Sequence, residues 1–490
     1  MNNIFDKLKN YSDSDYYAFH MPGHKRNLDL MDGTSPYRID ITEIDGFDDL
    51  HHAEGILRDA QERAARVYHA DETHFLVNGS TVGILSAILG TTEKGDSILV
   101  ARNCHKSVYH AIYLNELDPV YLYPKFDTEQ GLSTEIDAAD VQKALEEHPK
   151  IRAVMIVSPT YDGVVSDIEK IAEIVHAKGC PLIVDEAHGA HFGFDPYFPK
   201  SANIYGADLV INSLHKTLPA LTQTALLHVN GDMVKRRKVK QYLDMLQTSS
   251  PSYILMASID ACIGMLEETL ETHSDARSDY KYKNKNIFSE YANRIEALRK
   301  DLKRLKYLKI IQTDNTDRYD RSKFVISVKH APMSSHELYE ILLHRYHLQM
   351  EMLAGTYVLA MTTVGDTQEG LDRLRDALLE IDKEIDTKQG RPAAIEPDLP
   401  LSGRQPALEK VWTIAEAVNR RDKIQKRSFE DSIGCISVEY AYLYPPGSPL
   451  IVPGERITKE AVEILHWYQE HDFSIEGLQS EDGIEVWIDG

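Results

Sequence analysis

Short apolar runs alternate with amphipathic segments along the chain between about residues 54 and 216. The segment EGILRDAQERAARVYHA places Ile56, Ala60 and Ala64 on one face at helical spacing, which predicts an amphipathic helix. The runs SILVA, RAVMIV and PLIVD are short, apolar and rich in β-branched residues, which is typical of buried strands. Strands of this kind, separated by helices, predict an α/β fold whose mainly parallel sheet is covered on both faces.

Changes in composition along the chain predict several domains, and 490 residues are enough to bury a core in each of them. The predicted segments are an N-terminal arm (1–50), a large α/β domain (51–275), a smaller α+β domain (276–390), a Pro/Gly-rich linker (391–406) and a C-terminal α+β domain (407–490).

Composition and charge narrow the class of protein. The net charge of −23 argues against nucleic acid or an anionic membrane as a partner. No apolar run approaches the roughly 18–20 residues that span a bilayer, and the N-terminus lacks the apolar core of a signal peptide. The four cysteines have no CxxC spacing. We therefore expect a cytoplasmic protein with reduced thiols and no metal site.

Lys216 stands alone in an apolar segment. It is the only formally charged residue between Asp208 and Asp232. Burying an unpaired ammonium costs several kcal/mol or lowers its pKa. Either the amine has a covalent partner, or the side chain extends so that its charged end reaches solvent. The segment alone leaves both interpretations open.

Polar residues follow each of the predicted strands, where ligands bind in open α/β sheets. They are Ser80 and Thr81 after FLV, His105 after SILVA, Asp185 and His188 after PLIV, and Ser213, His215 and Lys216 after DLVIN. Taken singly, most of these residues fit a helix cap equally well. Together they supply a phosphate cradle, a stacking ring, a carboxylate for a pyridinium nitrogen and an amine. That set describes pyridoxal 5′-phosphate bound to Lys216 as a Schiff base.

Several motifs then resemble one family, the prokaryotic ornithine/lysine/arginine decarboxylases. The motifs are NGSTVG, NCHKS, VDEAHGAHFGF, SLHKTLPALTQ, FHMPGHK near the start and YPPGSPLIVPGE near the end. The resemblance extends from about residue 15 to about residue 475 and implies the aspartate-aminotransferase-like fold (fold type I) of pyridoxal enzymes. Because there is no room for an N-terminal wing domain before Phe19, the chain resembles the short form of the family. This resemblance implies a homodimer, or a small multiple of dimers, with active sites at the subunit interface.

The resemblance also implies a role for each candidate residue. Lys216 binds the cofactor, Asp185 pairs with its ring nitrogen and His105 stacks on its ring. Ser80, Thr81, Ser213 and His215 hold the phosphate, and His188 lies near the 3′-oxygen. Ser249 or Ser250 reaches the phosphate of the neighbouring subunit. Lys216 or His215 returns a proton to the α-carbon after carbon dioxide leaves.

The substrate is expected to be a basic amino acid, whose distal cation needs a carboxylate. Candidates are Glu43, Asp45, Asp48, Glu351 and Glu455, and for each of them a solvated surface acid is the alternative. The resemblance implies arginine first, giving agmatine for polyamine synthesis, then lysine, giving cadaverine, and then ornithine. Transamination or aldol cleavage on the same fold, or an inactive regulatory homologue, are the other hypotheses.

Overall fold

The fold is described from a computed structural model. The described residues are 13–20, 23–25, 27, 39–271, 286–312, 316–387, 405–420, 422–444 and 447–488. The predicted linker at 391–406 lies outside the described residues, except for Gln405 and Pro406. Within the described part of the chain, no helix has both the length and the hydropathy that crossing a bilayer requires.

The strands are numbered in chain order. They are β1 Tyr17–Phe19, β2 Glu72–Leu76, β3 Ser97–Ala101, β4 Asp118–Leu122, β5 Phe126–Asp127, β6 Leu132–Ser133, β7 Ile151–Val157, β8 Leu182–Asp185, β9 Leu209–Asn212, β10 Ala225–Val229, β11 Lys309–Ile310, β12 Lys323–Ser327, β13 Leu348–Met350, β14 Met352–Ala354, β15 Tyr357–Met361, β16 Ile424–Arg427, β17 Ile436–Ser437, β18 Ala441–Tyr444, β19 Ser448–Ile451, β20 Ser474–Glu476 and β21 Ile484–Trp487.

The α-helices are numbered in the same way. They are α1 Ile56–Val67, α2 Gly79–Thr91, α3 Lys106–Leu114, α4 Ala138–Glu147, α5 Ile168–Ala177, α6 Leu214–Thr217, α7 Arg236–Leu246, α8 Tyr253–Glu271, α9 Ile287–Leu302, α10 Ser335–His344, α11 Gln368–Thr387, α12 Ile414–Asn419 and α13 Lys459–Glu470.

A seven-stranded sheet forms the centre of the fold, in the order β2-β10-β9-β8-β7-β3-β4. Six of its strands run in one direction, and β10 is antiparallel to both of its neighbours. The prediction of a mainly parallel sheet is therefore confirmed. Between β9 and β10 the only α-helix is the single turn α6. A short connection of this kind allows the chain to return antiparallel, whereas parallel pairing needs a longer crossover.

Two local predictions differ from the structure. The run ADLVINSLHK, expected as one strand, is strand only to Asn212, and α6 begins after Ser213. Helix α2 begins at Gly79, and not at Ser80 or Thr81. In both places the backbone turns into a helix as soon as the strand leaves the sheet. The hydroxyl and amine side chains that follow are therefore held on first turns of helices.

Smaller sheets complete the fold. Strands β11, β12, β15 and β14 form an antiparallel sheet. Nearer the C-terminus, β16-β21-β17 and β19-β18-β20 form two further sheets. One hydrophobic cluster joins the large α/β unit to the four-stranded sheet, with the rings of Phe194 and Phe288 stacked 5.4 Å apart. The exact domain boundaries stay predictions.

Candidate active site

A cavity of about 670 Å³ opens at the carboxyl ends of the central strands. Its walls also include residues from β15, from the segment before it, and from α13 near the C-terminus. The register of the sheet aligns Asp185 on β8 with Val157 on β7 and Ile211 on β9. Residues just beyond these positions therefore meet at one edge of the sheet, as the sequence predicted.

The first turn of α2 forms a polar cradle at one end of this cavity. Gly79 has a φ of +72° and donates its N–H to the Gln223 carbonyl at 2.9 Å. A side chain would be strained in this conformation, so glycine suits the turn. The hydroxyls of Ser80 and Ser213 lie 2.5 Å apart, and Thr81 lines the same wall. Hydroxyls beside the free N–H groups of a helix N-terminus are suited to binding a phosphate.

Asp185 and Lys216 both line the cavity. The Asp185 carboxylate is buried and accepts the Ala187 N–H at 3.0 Å. Burial raises the pKa of Asp185, and the nearby charge of Lys216 opposes that rise. Burial also lowers the pKa of Lys216, against the attraction of Asp185 and Glu351. The expected proximity of this amine to this carboxylate is therefore present.

Both ring nitrogens of His188 face lysine amines. Lys216 Nζ lies 3.1 Å from Nε2, and Lys323 Nζ lies 3.3 Å from Nδ1. Burial, followed by the charges of both lysines, lowers the pKa of His188 well below its ordinary value, so the ring is neutral. A neutral imidazole has one N–H donor and one acceptor. One of the two lysines must therefore accept a hydrogen bond, which only an unprotonated amine can do. That neutral form is the nucleophile that attacks a carbonyl.

His105 and His215 line the cavity with neutral rings. His105 Nδ1 accepts the Ser107 N–H at 3.3 Å as the N-cap of α3, so the helix-cap interpretation of this residue is also correct. Burial lowers the pKa of His105 to about 4. His215 Nδ1 lies 2.9 Å from the Thr224 carbonyl, to which it must donate. Burial lowers its pKa as well.

Ser249 and Ser250 lie outside the cavity of their own chain. Both side chains are exposed, in the segment between α7 and α8. Their expected contact with the phosphate of a neighbouring subunit stays a prediction.

The five acidic residues considered for the substrate lie in different surroundings. Glu43 and Asp45 are exposed and outside the cavity lining. Asp48 accepts four backbone N–H groups, which outweigh the effect of burial and lower its pKa to about 2. Glu351 accepts the Tyr161 hydroxyl at 2.5 Å, and Tyr161 lines the cavity. Of these acids, only Glu351 lies close to the site.

The expected substrate contact of Glu455 is wrong for this chain. Glu455 is fully buried and forms an ion pair with Arg102 at 2.8 Å. It also accepts the Val452 N–H at 2.9 Å, and it does not line the cavity. Its carboxylate fastens the C-terminal region to the residue that follows β3.

Sequence reasoning missed three cavity residues or their close neighbours. Tyr161 and Asp162 follow β7, so the strand-end rule applied to SPTYDG would have identified them. The Tyr161 ring lies 4.4 Å from the His188 ring. Lys323 begins the buried strand β12, far from the other site residues in sequence, and no local pattern marks its partner.

Comparison with known proteins bears on this site. The family model "Orn/Lys/Arg decarboxylase, major domain" matches residues 2–333, and the model of the C-terminal domain of that family matches residues 404–486. An uncharacterized protein of Bacillus subtilis is 36% identical, over 94% of this chain and 93% of its own length. An arginine decarboxylase of Bacillus subtilis is 31% identical, over 94% of this chain and 92% of its own length.

Solved structures share the fold. The crystal structure of a lysine decarboxylase from Francisella novicida superposes with a TM-score of 0.78, at 19% identity, over 98% of this chain and 80% of the other. This likeness confirms the predicted fold class. Together with the family models and the close relatives, the site geometry leads to one conclusion: this chain belongs to the Orn/Lys/Arg decarboxylase family.

Proposed function

We propose that this protein is a pyridoxal-5′-phosphate-dependent decarboxylase that converts arginine to agmatine and carbon dioxide. The single observation that carries the proposal is the arrangement around Lys216. Its amine lies beside the buried Asp185 carboxylate and the neutral His188 ring, in the cavity that the α2 cradle also lines. The match to an arginine decarboxylase along nearly its whole length supports arginine as the substrate.

The residues present fit this cofactor. Lys216 would hold its aldehyde carbon, Asp185 its ring nitrogen and His105 one face of its ring. The phosphate would lie against the cradle of Ser80, Thr81, Ser213 and His215, where Gly79 adopts its positive φ. When bound, the cofactor supplies an electron sink for the pair of electrons that departing carbon dioxide leaves on the α-carbon.

The side chains of this chain supply the acid and base chemistry. Asp185 would keep a proton on the ring nitrogen that it faces, because separating the two charges in a buried site is costly. Lys216 and His215 are the groups able to return a proton to the α-carbon. Lys216 can exchange that proton through its 3.1 Å contact with His188 Nε2. The aromatic walls, including Trp467 and Tyr468, limit the access of water to the reacting atoms.

The assembly and setting of the enzyme are also part of the proposal. We infer a homodimer or a multiple of dimers in which Ser249 or Ser250 serves the neighbouring site. The exposure of both serines outside their own cavity supports this. We place the enzyme in the cytoplasm, where agmatine would enter polyamine synthesis. Lysine and ornithine are the second and third candidate substrates.

Product analysis tests the reaction. The purified holoprotein is incubated separately with arginine, lysine and ornithine, and carbon dioxide and amine are measured. We expect agmatine and carbon dioxide in equal amounts from arginine, at the highest kcat/KM of the three. A 2-keto acid as the product would instead show transamination, and the absence of any product would show an inactive homologue.

A further inference from the structure

The carboxylate of Asp162 has one oxygen to spare beside the proposed substrate cavity. The side chain lines the cavity and is only 7% exposed. Tyr357 donates its hydroxyl to Oδ1 at 2.6 Å. The other oxygen has no hydrogen-bond partner among the residues that the structure describes. Burial raises the pKa of Asp162 to about 6, against the effects of Tyr357 and of Lys323. A carboxylate in this position is stabilised by a cation that enters the cavity.

Other charged groups of the cavity are already engaged. Within the described part of the chain, Asp162 and Asp185 are the only carboxylates in its lining, and Asp185 faces the proposed ring nitrogen. Of the lining lysines, Lys216 contacts His188, and Lys329 donates to the carbonyls of Thr128 and Glu129. Lys323 acts on Asp162 electrostatically, but its amine contacts His188. Asp162 is therefore the remaining anion available to a bound ligand.

The surroundings of Asp162 suit the end of a long cationic side chain. Tyr161, Tyr357, Trp467 and Tyr468 line the same cavity. Aromatic faces pack against methylene groups and attract guanidinium and ammonium ions. Lys216 contacts His188, and the His188 ring contacts Tyr161, the neighbour of Asp162. A ligand that reacts at Lys216 must extend past His188 and Tyr161 to reach this carboxylate.

We propose that Asp162 binds the distal guanidinium or ammonium group of the substrate, held in position by Tyr357. This inference rests on the proposed function, because it assigns the far end of the same site. It replaces the earlier candidates Glu455, which is paired with Arg102, and Glu351, which accepts a hydrogen bond from Tyr161 outside the cavity lining.

Equilibrium binding to the holoprotein tests the proposal without turnover. Agmatine carries the cation, whereas N-carbamoylputrescine replaces the guanidinium by a neutral group of similar shape. We expect the wild-type protein to bind agmatine about tenfold to a hundredfold more tightly than the neutral analogue in calorimetry, as a charge-assisted contact implies. Asp162→Asn should remove this preference and leave the affinity for N-carbamoylputrescine within about twofold. Asp140→Asn, on the exposed face of α4, serves as the matched control.

Two results would overturn the proposal. One is equal binding of agmatine by the wild type and Asp162→Asn. The other is an equal loss of both ligands in the variant, which indicates a structural role beside Tyr357. If Asp162→Asn does not fold, the wild-type preference decides, and equal affinity for the two ligands refutes a cation subsite. A wild-type protein that prefers agmatine but releases no carbon dioxide from arginine, lysine or ornithine would refute the proposed reaction and leave the subsite standing.

Discussion

Two buried sets of opposite charges lie at strand ends of the same sheet, and they differ in what else their atoms contact. Arg102 follows β3 and pairs with Glu455, and both side chains are 0% exposed. Arg102 also donates to the Leu450 carbonyl at 3.1 Å and lies 4.7 Å from the Tyr121 ring. Asp185 ends β8, and it lines the cavity together with Lys216. Burial of charge thus occurs in both sets, and only the second set faces a space where a ligand can bind.

This difference separates a structural role from a chemical one. The charges of the Arg102 set are enclosed by protein, so their contribution is to hold the C-terminal region in place. In the Lys216 set, the amine contacts a neutral histidine that also contacts Lys323. Perturbed titratable groups that face a cleft are the usual mark of a functional site. Substitutions in the first set should therefore change stability, and those in the second set should change activity.

Removing the amine of Lys216 should have the largest effect on activity. Lys216→Ala is expected to lower kcat/KM for arginine at least about a thousandfold, because the nucleophile that binds the cofactor is lost. Lys178→Ala removes an exposed lysine and is the matched control. Steady-state release of carbon dioxide measures both variants, and more than a tenth of wild-type activity in Lys216→Ala would contradict the assigned role.

Neutralising Asp185 should give the next largest loss. In Asp185→Asn we expect kcat to fall by about 10²–10⁴, because a neutral side chain no longer keeps the ring nitrogen protonated. The variant should still fold and still bind pyridoxal phosphate, as judged by its absorbance. A kcat within a factor of a few of the wild-type value would show that this carboxylate does not face the reacting ring.

Glu455→Gln reverses the pattern. It leaves Arg102 charged and buried without its partner, which costs about 3–5 kcal/mol in unfolding free energy. Chemical denaturation measures that loss, and kcat should stay close to the wild-type value in protein that remains folded. The double variant Arg102→Met/Glu455→Leu should recover most of the stability, because hydrophobic replacement removes both charges. A selective loss of arginine affinity in Glu455→Gln would return Glu455 to the substrate site.

The smallest effect sharpens the comparison within one strand end. Glu186, next to Asp185, is buried against Ser201, Ala202 and Asn212, and burial raises its pKa to about 7. Because the pKa in the folded state exceeds the unfolded value of about 4.3, its contribution to stability is complete below that value and is lost as pH rises through 7.

The change amounts to about 3 kcal/mol over this range. Glu186→Gln has no such titration. The stability difference between the wild type and the variant should therefore decrease as pH rises from 4 to 8 in denaturation experiments. A constant difference would show that Glu186 has an ordinary pKa.

Much of the site could be predicted from the chain because of one geometric rule. Polar residues after parallel strands meet at one edge, and the structure brings Ser80, His105, Asp185 and Lys216 to the same cavity. Residues whose position depends on distant packing escaped this rule. Lys323 reaches His188 from 135 positions away, and the partner of Glu455 lies 353 positions away. A motif match at Glu455 could not show which way its carboxylate points, and that direction decides its role.

The central claim is that the amine of Lys216, and not another buried amine, carries the cofactor. Lys25 and Lys323 are also buried, and burial lowers the pKa of both amines, so they are matched competitors. The holoprotein is reduced with borohydride, digested and analysed by mass spectrometry. The account predicts a phosphopyridoxyl group on the peptide that contains Lys216 and none on the peptides of Lys25 and Lys323. A label on either of those two lysines, with Lys216 unmodified, would contradict it.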